Sequence, residues 1–222
     1  MSAKIISVFN QKGGSGKTTT SMHIAGTLGM RGLKSLVVDM DPQGTASRWY
    51  SCATEKNPFP GAVFSLASME GKFISAVKQH INSYDVIVID CPPAINSPIP
   101  SSAMLVSDLA IIPIIPAPAD LWAAVAAQEL AIQAKSMNES LEVRYLPNMV
   151  QKKTKLAQEV LGVLGEEEQI PMLSAVGSRS AFRECQLIGS TVHSVPGAKA
   201  AIDEVETVVN EIIDILNQNK GE

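Results

Sequence analysis

Four short stretches constrain the fold most: "KIISVF" (Lys4–Phe9), "KSLVVDM" (Lys34–Met40), "DVIVID" (Asp85–Asp90) and "LAIIPII" (Leu109–Ile115). Each carries apolar side chains at nearly every position, where a strand with one wet face would alternate. Successive side chains of a strand point to opposite faces, so such runs need cover on both sides. That is the condition of a parallel sheet with helices above and below. "EVRYLPNMV" (Glu142–Val150) reads as a fifth strand and "IPMLSAV" (Ile170–Val176) as a weaker sixth.

Helical patterns fill the intervals. The sequence predicts helices over Thr18–Met30, Met69–Ile81, Asp120–Lys135 and Gly197–Asn217. Asp120 sits where a first-turn acid or N-cap belongs. In the last segment Val205, Val208, Val209, Ile212, Ile213 and Leu216 fall on one apolar stripe. Strand–helix alternation of this kind predicts an α/β, doubly wound, mostly parallel sheet with right-handed crossovers. Neither a repeat nor a linker divides the 222 residues, so residues 1–222 read as a single domain.

The formal charge of −4 gives no global attraction to nucleic acid or anionic lipid, so any such binding needs a local patch. Cys52, Cys91 and Cys185 are far apart and lack C-x-x-C spacing, which reads as reduced thiols in a cytoplasmic protein. No leader peptide is visible at the start of the chain. The most apolar stretch, Leu109–Ala127, is interrupted by Pro113, Pro116, Pro118 and Asp120 and reads as strand, loop and helix start, with no membrane span expected.

Between the first strand and first helix lies "NQKGGSGKTTT", Asn10–Thr20. The pattern G-x-x-x-x-G-K-[ST] asks for glycine at position 11, where this chain has Gln11, followed by a second lysine, Lys12. The remainder is what phosphate recognition requires. Gly13, Gly14 and Gly16 let the backbone fold tightly, and the N–H groups from Gly13 through Ser15 to Thr19 can face phosphate oxygens at a helix N-terminus. Lys17 supplies positive charge to the β- and γ-phosphates, and the Thr18 hydroxyl suits Mg²⁺.

Acids follow where such a loop uses them. "VIVID" ends in Asp90, at the carboxyl edge of the sheet, where an acid can orient Mg²⁺. "VVDMDPQG" carries Asp39 and Asp41 two residues apart. One can join the metal shell and the other orient the attacking water, or the string is an ordinary Asp-Pro turn.

Together "FNQKGGSGKTTT", "VVDMDPQG" and "VIVIDCPP" resemble, in order and spacing, the three motifs of the ParA family of deviant phosphate-loop ATPases. "SDLAIIPIIPAPADLWAA" (Ser107–Ala124) is similar to the proline-rich segment of its short plasmid-type members, and "PGAKAAIDEV" (Pro196–Val205) to their last helix entry. The resemblance implies a slow ATPase, ATP and Mg²⁺ as cofactors, and a nucleotide-sandwiched homodimer. It makes Lys12 the lysine that reaches the partner subunit's phosphates and Lys17 the lysine that serves its own. Asp41 becomes the acid that positions the hydrolytic water, with Thr18, Asp39 and Asp90 around the metal. Pro147, Asn148 and Met149, after the fifth strand, are the expected adenine-side residues.

The family partitions plasmids and chromosomes and positions other cellular cargo. The resemblance therefore implies nonspecific DNA as one partner, through basic residues such as Lys152, Lys153, Lys155, Arg179, Arg183 and Lys199. It implies a second partner, a ParB-like or small centromere-binding adaptor, because the first strand starts close to Met1 and leaves no room for a DNA-reading extension. DNA segregation is the leading expectation, with a cytoplasmic, nucleoid-associated location. Positioning of a protein cargo, a membrane-associated septum regulator and a metabolic ATP-dependent enzyme are the alternatives. The acidic tail, with Glu211 and Asp214, disfavours the membrane reading. Cys91 has no convincing partner for a shared metal cluster, which disfavours a cluster-carrying reductase.

Overall fold

A computed structural model of the chain describes residues 2–93, 97–151, 159–162 and 170–218. Six strands form one sheet: β1 (Lys4–Val8), β2 (Ser35–Asp39), β3 (Ala62–Ser65), β4 (Val86–Asp90), β5 (Leu109–Ile114) and β6 (Glu142–Pro147). Their order is β3-β2-β4-β1-β5-β6, and every pairing is parallel. All residues of β2, β4 and β5 are buried, as their unbroken apolar runs require.

The helices divide between the two faces. On one side α1 (Lys17–Met30), α2 (Thr45–Ser51), α6 (Ala181–Leu187) and α7 (Lys199–Gln218) pack over Ile6, Val8, Val37, Val88 and Ile111. On the other, α3 (Phe73–His80), α4 (Ile99–Met104) and α5 (Pro118–Met137) cover Leu36, Val38, Ile87, Ile89 and Ile112. The two lists interleave along each strand, which is the two-residue period read out in three dimensions. Helix α7 buries Val205, Val208, Val209, Ile212 and Leu216 of the stripe expected from sequence, and leaves Ile213 half-buried. Each such side chain contributes about 1.5–3 kcal/mol when fully buried.

Helix α1 ends in a glycine turn: Gly32 has φ of 88°, and the Leu33 N–H donates to the Leu28 carbonyl at 3.2 Å. This is the left-handed stop that glycine alone takes without strain.

Two expectations change. Ile170–Val176 is not a strand of the sheet. It runs beside β6, with Leu173 N donating to the Tyr145 carbonyl at 2.8 Å and Val176 N to the Pro147 carbonyl at 2.8 Å. Pro171 has no N–H to give, so no continuous ladder forms there. The sixth strand is instead β3, a four-residue edge strand too short to show a period. Helices α2, α4 and α6, six or seven residues each, were likewise too short to register as amphipathic patterns.

Candidate active site

The strand order reverses around β1, whose neighbours are β4 and β5. A ligand crevice is expected outside the carboxyl ends of the strands at such a point. Register brings the acids there together: Asp90 pairs with Val8 of β1 on one side and with Asp39 of β2 on the other.

The glycine loop is clamped at both ends. Asn10 donates through Nδ2 to the Pro113 carbonyl at 2.8 Å and accepts from the Lys12 N–H at 2.9 Å. Asn148, beyond β6, donates through Nδ2 to the Ser15 carbonyl at 3.0 Å. Gly16 sits at φ of 92°, and a Cβ there would lie 2.0 Å from Asn148 Nδ2. Backbone conformation and close approach both demand glycine at this position. At Gly13 and Gly14 a Cβ would meet nothing within 4 Å, so the loop faces open space where a phosphate would lie.

Lys17 opens α1 and is buried, with Nζ donating to the Lys12 carbonyl at 3.1 Å. Burial lowers its pKa, while the neighbouring Asp90 and Asp41 act in opposition. An ammonium drawn from water among acids is primed for a phosphate charge. Lys12 behaves differently: its Nζ meets Asp120 Oδ2 at 2.8 Å, at the first turn of α5.

The acids differ in what they have left to offer. Asp39 is fully buried and both its oxygens are engaged, with Oδ1 accepting from Asp41 N at 3.2 Å. Its Oδ2 accepts from Ser47 N at 2.9 Å and Ser47 Oγ at 2.7 Å. It anchors the Asp41–Ser47 turn and the start of α2, with three of its hydrogen bonds already made to that turn. Asp41 is part-exposed and folds into an Asx turn through Gln43 N at 2.9 Å. Asp90 is fully buried: Oδ1 accepts from Ser21 Oγ at 3.1 Å, whereas Oδ2 has no hydrogen-bond partner among the described residues. Burial pushes its pKa up to about 7; the Asp39 charge adds to the rise, and the Thr18 and Ser21 hydroxyls and Lys17 oppose it. An orphaned buried carboxylate oxygen beside the Thr18 hydroxyl is a donor set that fits Mg²⁺, which takes one or two carboxylates and keeps its waters.

A cleft continues from Thr19 past Asn148 and Met149 to Gly177, Arg179 and Phe182. Met149 holds a positive φ of 52°. Glu204 of α7 fixes the far wall, accepting from Gly177 N at 3.0 Å and pairing with both Arg179 Nε at 2.9 Å and Arg179 Nη2 at 2.8 Å. Two sequence expectations shift here. Pro147 is buried in β6, paired with Ile114, and is not among the residues lining this cleft. Arg179 is paired with Glu204, so a DNA phosphate would have to compete with that ion pair. Gly177, Arg179 and Phe182 were missed as cleft residues because only folding brings their loop beside Asn148. Arg183 and Lys199 are exposed. Lys152, Lys153 and Lys155 lie outside the described residues.

Cys91 is buried and its pKa is raised by burial, so it is a packing residue. Among the described residues no helix is long and apolar enough to cross a membrane.

Comparison with known proteins agrees with this geometry. A family model described as an AAA domain matches residues 3–69. "Maintenance of carboxysome distribution protein A" of Halothiobacillus neapolitanus is 30% identical over 210 residues, covering 94% of this chain and 95% of that one. The structure of apo McdA from Cyanothece superposes with a TM-score of 0.78 at 16% identity, covering 95% of this chain and 99% of the other. A plasmid partition protein from Borrelia burgdorferi bound to AMPPNP superposes with a TM-score of 0.73 at 20% identity, covering 96% and 99%. With the three motifs in register along the sheet edge and a relative matched along nearly its whole length, the chain belongs to the ParA/MinD family of deviant Walker ATPases.

Proposed function

We propose that this protein is an ATP-switched positioning ATPase: bound ATP and Mg²⁺ assemble a homodimer that holds nonspecific DNA, and hydrolysis releases it. The observation that carries this reading is the division of labour between the two loop lysines. Lys17 is buried among Asp90 and Asp41 in its own cradle, while the Lys12 side chain is turned to Asp120. A cation not committed to its own cradle is available to a second subunit, which makes hydrolysis conditional on pairing.

The chain's own residues divide the work. Backbone N–H groups of Gly13 to Thr19 bind the phosphates, and Lys17 neutralises their charge. When bound, Mg²⁺ draws charge from the phosphate oxygens; Thr18 and the unused oxygen of Asp90 are the groups to hold it, with Asp39 stiffening the turn behind. Asp41, on that turn, orients the attacking water. Asn148 and Met149 open the base-side cleft. Arg183 and Lys199 remain as DNA contacts, and a separate adaptor stimulates turnover.

Two cargoes have support. The full-length similarity to a carboxysome distribution protein favours a protein body as cargo. The likeness to a plasmid partition protein keeps DNA segregation beside it. The test is retention on nonspecific DNA with ATP, ADP or no nucleotide across a salt series. Retention with ATP alone, weakening steeply with salt, is expected. Equal retention in all three states would sink the switch.

A further inference from the structure

The segment from Leu173 to Ser178 splits its backbone N–H groups between two partners. Leu173, Val176 and Ser178 donate to the carbonyls of Tyr145, Pro147 and Val150, along β6 and just beyond it, at 2.8, 2.8 and 3.2 Å. Ser174 and Gly177 donate the other way, to the carboxylates of Glu211 and Glu204 on α7, at 2.8 and 3.0 Å. An N–H that points away from a sheet ordinarily meets water or a further strand. Here two glutamates take that place.

Their spacing lets one helix do this. Glu204 and Glu211 are seven residues apart, a rise of about 10.5 Å along α7. Ser174 and Gly177 are three apart, about 10 Å of extended chain. The helix rise therefore matches the stretch of the segment, and the two run antiparallel, with Glu211 at the start of the segment and Glu204 at its end. Each carboxylate makes a further bond. Glu211 also accepts from the Ser174 hydroxyl, and Glu204 also pairs with Arg179. The sequence placed Glu211 in an acidic tail; in the structure its carboxylate is half-buried and committed to the backbone of another element.

The downstream end of this segment is the cleft wall. Gly177, Ser178 and Arg179 line the cleft beside Asn148, whereas Ser174 and Glu211 do not. We propose that Glu211 is a positioning residue for the base side of the nucleotide site: together with Glu204 it pins residues 174–179 to α7, so that the wall stands preformed before a base arrives. This rests on the reading, given above, of the cleft as the base side of an ATP site. A preformed wall raises affinity because binding no longer has to order it. Without the Glu211 clasp the segment is held to α7 at one end only, and the bound nucleotide must order the wall itself.

The test compares wild type, Glu211→Ala, Glu211→Gln and Glu204→Ala. Calorimetry gives the affinity for ADP with Mg²⁺, and displacement of a fluorescent ADP analogue gives its dissociation rate. Pyrophosphate with Mg²⁺ is titrated in parallel; it engages the glycine loop and not the cleft, so a merely structural role would move both ligands. Glu211→Ala is expected to bind ADP about fivefold more weakly, chiefly through faster dissociation, the effect of ordering about one residue of backbone on binding. Pyrophosphate affinity stays at the wild-type value. Glu211→Gln keeps a carbonyl for the Ser174 N–H and recovers part of the loss. Unchanged ADP affinity in Glu211→Ala overturns the proposal, and a loss in Glu204→Ala beside it shows that the cleft reading still stands. An equal loss for ADP and pyrophosphate also overturns it, because Glu211 would then support the fold in general. If wild type binds no ADP, the nucleotide reading falls and takes the proposal with it.

Discussion

His23 lies on α1, one turn beyond Thr19, and is sealed in the core. Its Nδ1 contacts the Thr19 carbonyl at 2.8 Å, and its Nε2 accepts from Val192 N at 3.3 Å. The carbonyl can only accept, so the proton sits on Nδ1 and Nε2 must stay bare. A second proton would break the Val192 bond and bury a charge against the rings of Trp49 and Phe182, which meet the imidazole in T-shaped contacts. Burial accordingly drops the pKa to about 4, with the His193 charge adding to the fall and the Thr19 carbonyl opposing it.

The sign follows. Between pH 6.5 and 4 the unfolded chain binds a proton that the folded chain refuses, so stability falls as pH falls through this window. Linkage makes the loss about 2 kcal/mol at pH 5 and about 3 kcal/mol at its limit. Asp90, pushed up to about 7, works in the opposite sense over much of the same range, so the wild-type curve alone cannot isolate His23. The informative quantity is the stability difference between wild type and His23→Asn, measured by urea unfolding without nucleotide or metal. The variant starts about 1–3 kcal/mol less stable at pH 7.5, having lost a buried bond and ring contacts. That deficit is expected to shrink by about 1 kcal/mol at pH 6 and about 2 kcal/mol at pH 5. A difference that stays constant within about 0.5 kcal/mol would refute the reasoning, since no buried neutral imidazole could then be titrating.

Three further outcomes follow from the same geometry. Gly16→Ala should cost about 1–3 kcal/mol of stability and abolish retention on immobilised ATP, since φ and the Asn148 approach both exclude a Cβ. Lys17→Met should lose nucleotide binding in calorimetry while leaving the apo protein as stable as wild type or more so, because a desolvated ammonium is removed. Glu204→Ala should release Gly177 and Arg179 together, weakening ADP binding several-fold with little change in the urea midpoint; unchanged ADP affinity would remove the cleft from the nucleotide site.

The sheet was readable because its signal is local. Four runs with no polar interruption demanded cover on both faces, and the structure supplies it. Edge strand β3 carried no such signal: its pattern is half-exposed, with Phe64 facing outwards. The stretch Ile170–Val176 carried a misleading one, having strand-like residues but Pro171 in the ladder position. Register did the rest. Once β1, β2 and β4 pair in parallel, Asp39 and Asp90 must emerge side by side, and composition alone could not have told them apart.

What separates those two acids is tertiary. Ser47 lies eight residues beyond Asp39, and its N–H and hydroxyl satisfy the carboxylate that the sequence made a metal ligand. Among the described residues nothing comparable reaches Asp90 Oδ2, and that difference leaves one acid engaged in the turn and the other with an unmatched oxygen. The same logic holds for the cations. Arg179 looked like a surface charge until α7 brought Glu204 against it, and Lys12 looked unattached until α5 brought Asp120. Local rules are broken where the site is: a lysine buried at the head of α1, a methionine at positive φ, a carboxylate oxygen with no partner. Each is a cost that the fold alone has no reason to carry. The sequence could mark the loop where such costs fall, because glycine and lysine spacing is local. It could not say which charges the fold had already matched, because a counterion arrives from wherever the chain happens to return.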